Sequence, residues 1–122
     1  MAAKTVEAAV FPALRAILSR VAADLAVQED SKDSFYLNTK GARYKGKPVF
    51  FGAVQRGKKY VSFHLFPLYM NPEMVSGISP APKKRMQGKA CFNFMAVDEA
   101  LFAELEALVK AGVRGYRERG WL

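Results

Sequence analysis

The residues best suited to chemistry fall in one stretch of the chain, between Tyr60 and Phe94. This stretch holds the only histidine, His64, and the only cysteine, Cys91. An imidazole can act as a base or a metal ligand, and a thiol becomes a nucleophile when its pKa is lowered. With one residue of each type, the chain cannot assemble a four-ligand Cys/His zinc site. We predict no metal site and no catalytic residue, and we interpret His64 as a half-buried polar side chain and Cys91 as a buried, inert one.

The same stretch carries the densest group of basic residues in the chain. They are Lys83, Lys84, Arg85 and Lys89. Three of them follow Ser79-Pro80, which predicts a short helix whose free N–H groups add to the positive potential. Together with Tyr69 and His64, these cations predict a binding site for an anion such as a phosphate, a carboxylate or a nucleic-acid backbone. The alternative is a solvated loop that keeps the protein soluble.

The positive charge is concentrated in the middle of the chain. The net charge is +8, and residues 40–89 hold eleven basic residues against a single acid, Glu73. A field of this sign attracts anions and speeds their encounter with the protein. The one acidic group comprises Asp24, Glu29, Asp30 and Asp33. Because Lys32 interrupts it, we predict a solvated helix end there rather than a site for a hard cation such as iron.

Length and composition indicate one ordinary globular domain over residues 1–122. Apolar residues make up 51% of the chain and charged residues 25%, which is typical of a folded rather than a disordered protein. A single cysteine cannot form an internal disulfide and fits a reducing compartment. No apolar run approaches the ~20 residues of a membrane span, and the N-terminus lacks a secretory signal. We expect a cytoplasmic protein that binds neither a membrane nor a cofactor.

Two amphipathic helices are predicted near the chain ends. Apolar residues spaced at i and i+3 or i+4 predict a helix over residues 12–27, with Pro12 in its first turn. Asp98 is a good N-cap for a second helix over residues 98–111, and Gly112 fits the C′ position that would end it. Trp121 is expected to fold back onto the domain.

Four strands are predicted between these helices. They span residues 35–39, 48–55, 60–66 and 90–95. The third strand alternates, with Val61, Phe63 and Leu65 on one face. Short helices are predicted to start at Asn71-Pro72 and at Ser79-Pro80. This order predicts an α+β fold, a mainly antiparallel four-stranded sheet with the N- and C-terminal helices packed on one face.

Several runs of residues resemble the YdhG-like family of small α+β domains of unknown function. The runs are Tyr60-Val61-Ser62-Phe63-His64-Leu65, Pro67-Leu68-Tyr69, Lys84-Arg85-Met86-Gln87-Gly88-Lys89 and Cys91-Phe92-Asn93-Phe94. The resemblance extends from about Ala13 to Leu108. It implies a compact sheet with helices packed against it, and it implies no established reaction. Some relatives are labelled iron chaperones because their fold is like that of frataxin.

The predicted function is a small, non-catalytic binding module for an anionic small molecule or an anionic protein partner. The first alternative is a frataxin-like iron-handling chaperone, and the second is a small enzyme that uses His64 or Cys91. Tyrosines interleaved with basic residues could also stack on nucleic-acid bases, although the chain lacks the aromatic motif of the common RNA-binding module. The sequence leaves the ligand, the biological process and the oligomeric state open.

Overall fold

The structure is a computed structural model that describes residues 8–44, 46–70, 73, 78, 86 and 91–122, with the backbone alone at 42–44. The helices in these residues are α1 (Val10–Ser19), α2 (Phe66–Met70) and α3 (Glu99–Glu118). The strands are β1 (Ala26–Asp30), β2 (Ser34–Tyr44), β3 (Lys47–Arg56), β4 (Val61–Leu65) and β5 (Cys91–Phe94). A 3-10 turn over Ala22–Asp24 joins α1 to β1.

The five strands form one antiparallel sheet in chain order, β1-β2-β3-β4-β5. In the turn between β2 and β3, Gly46 takes a φ of 80°, a left-handed conformation that glycine adopts without steric cost. The turn between β3 and β4 is closed by the Gly57 N–H, which donates to the carbonyl of Tyr60 over 2.8 Å. The predicted α+β class and the antiparallel sheet are confirmed.

The sheet has one strand more than predicted. The additional strand, β1, covers Ala26 and Val27, which the sequence assigned to the first helix, and the three residues that follow them. Four of its five residues are exposed, so it lacks the alternation of apolar and polar residues by which a half-buried strand is recognised. Its pairing with β2 also contains an irregularity between Val27 and Glu29. Backbone pairing with β2, rather than an apolar pattern, makes this segment a strand.

Helix α1 begins and ends earlier than predicted. It starts at Val10, which leaves Pro12 in the first turn, where a missing N–H costs no helical hydrogen bond. After Ser19 the chain tightens, and the Val21 N–H donates to the carbonyl of Leu18 over 3.1 Å. The chain therefore reaches the buried side chain of Leu25 by a 3-10 turn and not by a continuation of the α-helix.

Helix α3 starts at its predicted cap and runs well past its predicted end. The Asp98 side chain accepts a hydrogen bond from the Leu101 N–H over 3.1 Å. The helix then continues through Gly112 to Glu118, so the assignment of Gly112 to a C′ position is wrong. This glycine lies against α2: a Cβ added to it would be 2.8 Å from Cγ of Pro67. Close packing between the two helices, and not helix termination, requires glycine here.

Both long helices pack on the same face of the sheet, as predicted. The Leu18 side chain of α1 lies over Gly52 of β3. On α3, the Phe102 ring meets Phe94 of β5 edge to face at 5.0 Å. Most of the apolar residues that predicted the two helices are buried, and two are half-buried at the margin, Val21 and Leu108. The buried ones are Leu14, Ile17 and Leu18 on α1 and Leu101, Phe102 and Leu105 on α3. The core therefore lies between the sheet and a layer made of α1 and α3.

Helix α2 begins where the third predicted strand was expected to end. It stands at the end of β4, with Pro67 and Leu68 buried on the side of the core. The predicted short helices after Asn71-Pro72 and Ser79-Pro80 fall largely outside the described residues. At the other end of the molecule, the Trp121 ring folds back onto Tyr116 at 5.0 Å, as predicted. No helix in the described part of the chain is long and apolar enough to cross a membrane.

Candidate functional site

The face of the sheet opposite α1 and α3, called the outer face below, holds both His64 and Cys91. Strand register lines up Tyr36, Ala53, His64 and Cys91 across β2 to β5. Their sequence neighbours, such as Phe63 and Leu37, point into the core. Because side chains alternate along a strand, the row containing His64 faces away from the helices. The outer face thus collects the two residues first singled out for chemistry.

A bulge in β3 adds a phenylalanine to this face. Leu37 pairs with Gly52, whereas the next residue, Asn38, pairs with Phe50, so Phe51 is an extra residue in the strand. Phe51 and Gly52 consequently both face the helices, and Phe50 lies on the outer face.

His64 and Cys91 lie side by side on adjacent strands. Cys91 Sγ is 4.0 Å from His64 Nε2 and 4.0 Å from Oδ1 of Asn93. The same Asn93 oxygen accepts a hydrogen bond from the Ser62 hydroxyl over 3.1 Å. The result is a connected polar cluster on β4 and β5. All four side chains are half-buried, so the prediction that Cys91 is buried is only partly met.

The electrostatics of this cluster keep both titratable groups neutral. Burial lowers the pKa of His64, because the imidazolium form loses hydration. Burial also raises the pKa of the Cys91 thiol, because the thiolate loses hydration. A nucleophilic cysteine beside a histidine needs the opposite shifts, toward a thiolate and an imidazolium. The pair is therefore a neutral thiol next to a neutral imidazole near pH 7.

An aromatic column crosses the outer face beside the polar cluster. Its rings, in spatial order, are Tyr36, Phe50, Phe66 and Tyr69. Successive ring centroids are 4.6, 5.9 and 5.4 Å apart, and the two end pairs are stacked. Tyr69, at one end of the column, is 56% exposed. The sequence singled out Tyr69; it did not find the three rings behind it, which only the sheet register and the β3 bulge bring together.

A cavity opens at the opposite end of the column, where β1, β2 and β3 meet. It has a volume of about 170 Å³, and Gln28, Asn38, Lys40 and Pro48 contribute to its lining. Oδ1 of Asn38 is buried and has no hydrogen-bond partner among the described residues. A buried acceptor without a donor carries a desolvation cost. No local sequence pattern predicted this cavity, because its lining comes from three strands.

Most of the acidic residues considered as cation ligands form ion pairs with arginines. Asp30 accepts two hydrogen bonds from Arg15 Nη2 at 2.9 Å, and Asp24 pairs with Arg117 at 2.9 Å. Asp33 lies 3.4 Å from Arg56. In the described part of the chain, no three His, Cys, Asp or Glu side chains come close enough together to hold a metal ion. Three of the four candidate iron ligands thus already have cationic partners.

The predicted basic group lies beyond the reach of the structure. Lys83, Lys84, Arg85 and Lys89 fall outside the described residues, so their place relative to Tyr69 and His64 stays a prediction. The described lysines of the sheet and its turns are Lys32, Lys40, Lys47, Lys58 and Lys59, and all five are exposed. The four ion pairs recorded within the described ranges all use arginine. Lysine therefore supplies the unneutralised positive charge of the sheet.

The chain matches no known family model, no curated protein and no solved structure. The resemblance to the YdhG-like family accordingly stays a prediction from the quoted motifs.

Proposed function

We propose that the protein is a non-catalytic binding module that takes an anionic ligand on the outer face of its sheet. The observation that carries the proposal is the cavity between β1, β2 and β3, where the exposed side chain of Lys40 lines the same space as the polar side chains of Gln28 and Asn38. A lysine that forms no ion pair with a described residue offers a full charge to an anion.

The surroundings of the cavity support this assignment. The net charge of +8 favours the approach of anions from a distance. Asp30 at the end of β1 and Asp24 before it pair with arginines, which reduces the negative charge that would repel an anion; Glu29 of β1 is exposed and forms none of the four ion pairs of the described residues. Lys83, Lys84, Arg85 and Lys89 belong to the proposal as a second source of positive charge, and Tyr69 and His64 belong to it as uncharged ligand-binding side chains.

The state of the His64–Cys91 pair supports binding over catalysis. The imidazole and the thiol are both held neutral by burial, so proton transfer from sulfur to nitrogen is unfavourable. Next to them, the Ser62 hydroxyl donates a hydrogen bond to Oδ1 of Asn93. This polar cluster can offer hydrogen bonds to a ligand that lies along β4 and β5 without taking part in a reaction.

Calorimetric titration with inorganic phosphate and with a short polyphosphate tests the proposal. We expect saturable binding that Lys40→Gln weakens at least about tenfold, because a hydrogen bond to a charged group is lost. The control is the double variant Lys58→Gln with Lys59→Gln, which removes two exposed lysines from the β3–β4 turn and should change the affinity only slightly.

The results for these variants distinguish a defined anion-binding site from a general attraction by the positive charge of the protein. Equal losses from the Lys40 variant and the turn control would refute a defined site, since a general field depends on charge and not on position. A loss confined to Lys84→Gln with Arg85→Gln would refute the cavity and place the anion at the basic group predicted from the sequence.

A further inference from the structure

We infer that Tyr69 is a stacking platform for a nucleobase and that the ligand of the outer face is single-stranded nucleic acid. This inference rests on the proposed function, because it names the class of anion that the face accepts. It starts from the aromatic column and from the charge around the column's exposed end, neither of which the anion cavity requires.

The Tyr69 ring is exposed and supported from behind. Phe66 stacks on it at 5.4 Å with an angle of 18° between the ring planes, and Phe50 and Tyr36 continue the column. Phe66 and Tyr69 are three residues apart on α2, so the helix itself fixes their relative position. A ring held in this way loses little freedom when a further flat group stacks on it. A nucleobase is such a group, and every base has an aromatic face.

A cation lies beside the platform. Arg119 Nη2 donates to the carbonyl of Met70, the residue after Tyr69, over 3.3 Å. The Arg119 guanidinium also lies over the Trp121 ring, 5.1 Å from its centroid. This side chain is exposed and forms none of the four recorded ion pairs of the described ranges. It is placed to meet a phosphate whose base lies on Tyr69.

The geometry of the column favours a strand over a single nucleotide. Its three centroid separations add to no more than about 16 Å, the length of four to five nucleotides at ~3.4 Å each. The cavity lies on the β2 side of the column, because its lining residue Asn38 pairs with Phe50, and Lys40 lines the same cavity two residues further along β2. A strand that runs from Tyr69 along the column toward β2 therefore passes from Arg119 toward Lys40. A duplex does not fit, because its bases are stacked on one another and offer no free face.

Fluorescence titration of Trp121 tests the inference, because this is the only tryptophan and it touches Arg119. The probes are an oligothymidylate of about 12 nucleotides, thymidine monophosphate and a polyphosphate of equal charge. We expect Tyr69→Ala to weaken binding of the oligothymidylate by about 5- to 150-fold, the usual effect of losing one stacked base. Tyr69→Phe should keep most of the affinity, since the ring face remains.

A second exposed tyrosine provides the matched control. Tyr60 is 44% exposed in the β3–β4 turn and belongs to no recorded ring pair, so Tyr60→Ala should leave the affinity nearly unchanged. For the cation, Arg119→Gln should weaken binding and Arg114→Gln, an exposed arginine on the same helix, should not. Thymidine monophosphate should bind more weakly than the oligothymidylate. Equal affinity per molecule would overturn the assignment to a strand and leave a nucleotide.

The polyphosphate separates this inference from the proposed function. If polyphosphate binds as tightly as the oligothymidylate and depends on Lys40 but not on Tyr69, the anion site stands and the nucleobase platform is refuted. If neither probe binds in a way that depends on Lys40 or Tyr69, both are refuted. Equal losses from Tyr69→Ala and Tyr60→Ala would also overturn the platform.

Discussion

The contact between Gly112 and Pro67 predicts opposite effects for the same substitution at two glycines of α3. At Gly112, an added Cβ would lie 2.8 Å from Pro67 Cγ and 3.0 Å from Pro67 Cβ, closer than packed carbons normally approach. A proline ring cannot swing aside, so α2 or α3 would have to shift. At Gly115, one turn further along, the added Cβ meets nothing within 4 Å.

The magnitudes follow from two terms. Replacing glycine by alanine inside a helix stabilises it by up to about 1 kcal/mol. Overpacking a well-packed contact costs about 1–3 kcal/mol. Gly115→Ala should therefore raise the free energy of unfolding by up to about 1 kcal/mol. Gly112→Ala should lower it by up to about 2 kcal/mol, because the packing cost exceeds the helical gain.

Urea denaturation followed by circular dichroism measures both variants under the same conditions. The helical term is common to the two, so the gap of about 1–3 kcal/mol between them reports the contact with Pro67 alone. With a urea slope of about 1–3 kcal/mol per molar, this gap separates the midpoints by roughly 1 M. Coincident midpoints would refute the packing of α3 against α2. Pro67→Ala in the Gly112→Ala background should recover part of the loss, because it removes the closest carbon.

Three further predictions concern the core and the polar cluster. Leu105→Ala, at a fully buried position of α3, should cost about 2–5 kcal/mol in chemical denaturation, and a loss below about 1 kcal/mol would contradict its burial. Labelling of native Cys91 with a thiol reagent should be slow at pH 7 and accelerate only above about pH 8.5, because burial raises its thiol pKa; rapid labelling at pH 7 would revive the enzyme alternative. The lowered pKa of His64 means that the unfolded chain binds a proton more readily than the folded one, so stability should fall as pH drops below about 6.5. That part of the acid sensitivity should disappear in His64→Gln, and an unchanged pH profile would show that His64 does not titrate differently in the two states.

The parts of the fold that the sequence predicted depend on local signals. Helix α3 was predicted from the spacing of its apolar residues and from the Asp98 cap, and both features are present in the structure. Strand β1 has no such signal, because its exposed residues show no alternation and its backbone partners lie in β2. Gly112 was misassigned because a glycine near the end of an apolar pattern satisfies a local rule, while the Pro67 contact that requires it is tertiary.

The candidate site was predicted in part for the same reason. The alternation of side chains along a strand was enough to predict that His64 lies on the opposite face from Phe63 and Leu65. The cavity beside Lys40 and the aromatic column depend on pairing across strands and on the extra residue Phe51 in β3, and no local pattern reveals where such a residue falls. The basic group at residues 83–89 remains a sequence prediction.

The β3 bulge also connects the sheet to the helical layer through contacts with α3. The Tyr116 hydroxyl, near the end of α3, donates a 2.7 Å hydrogen bond to the carbonyl of Phe50, whose ring belongs to the aromatic column. The next ring, Phe51, meets the Tyr116 ring edge to face at 5.4 Å. Contacts with α3 thus hold the backbone at Phe50, in the middle of the column, in a fixed position. A molecule that binds the outer face meets a preorganised surface and does not have to order it first, so less of its interaction energy is spent on immobilising the protein.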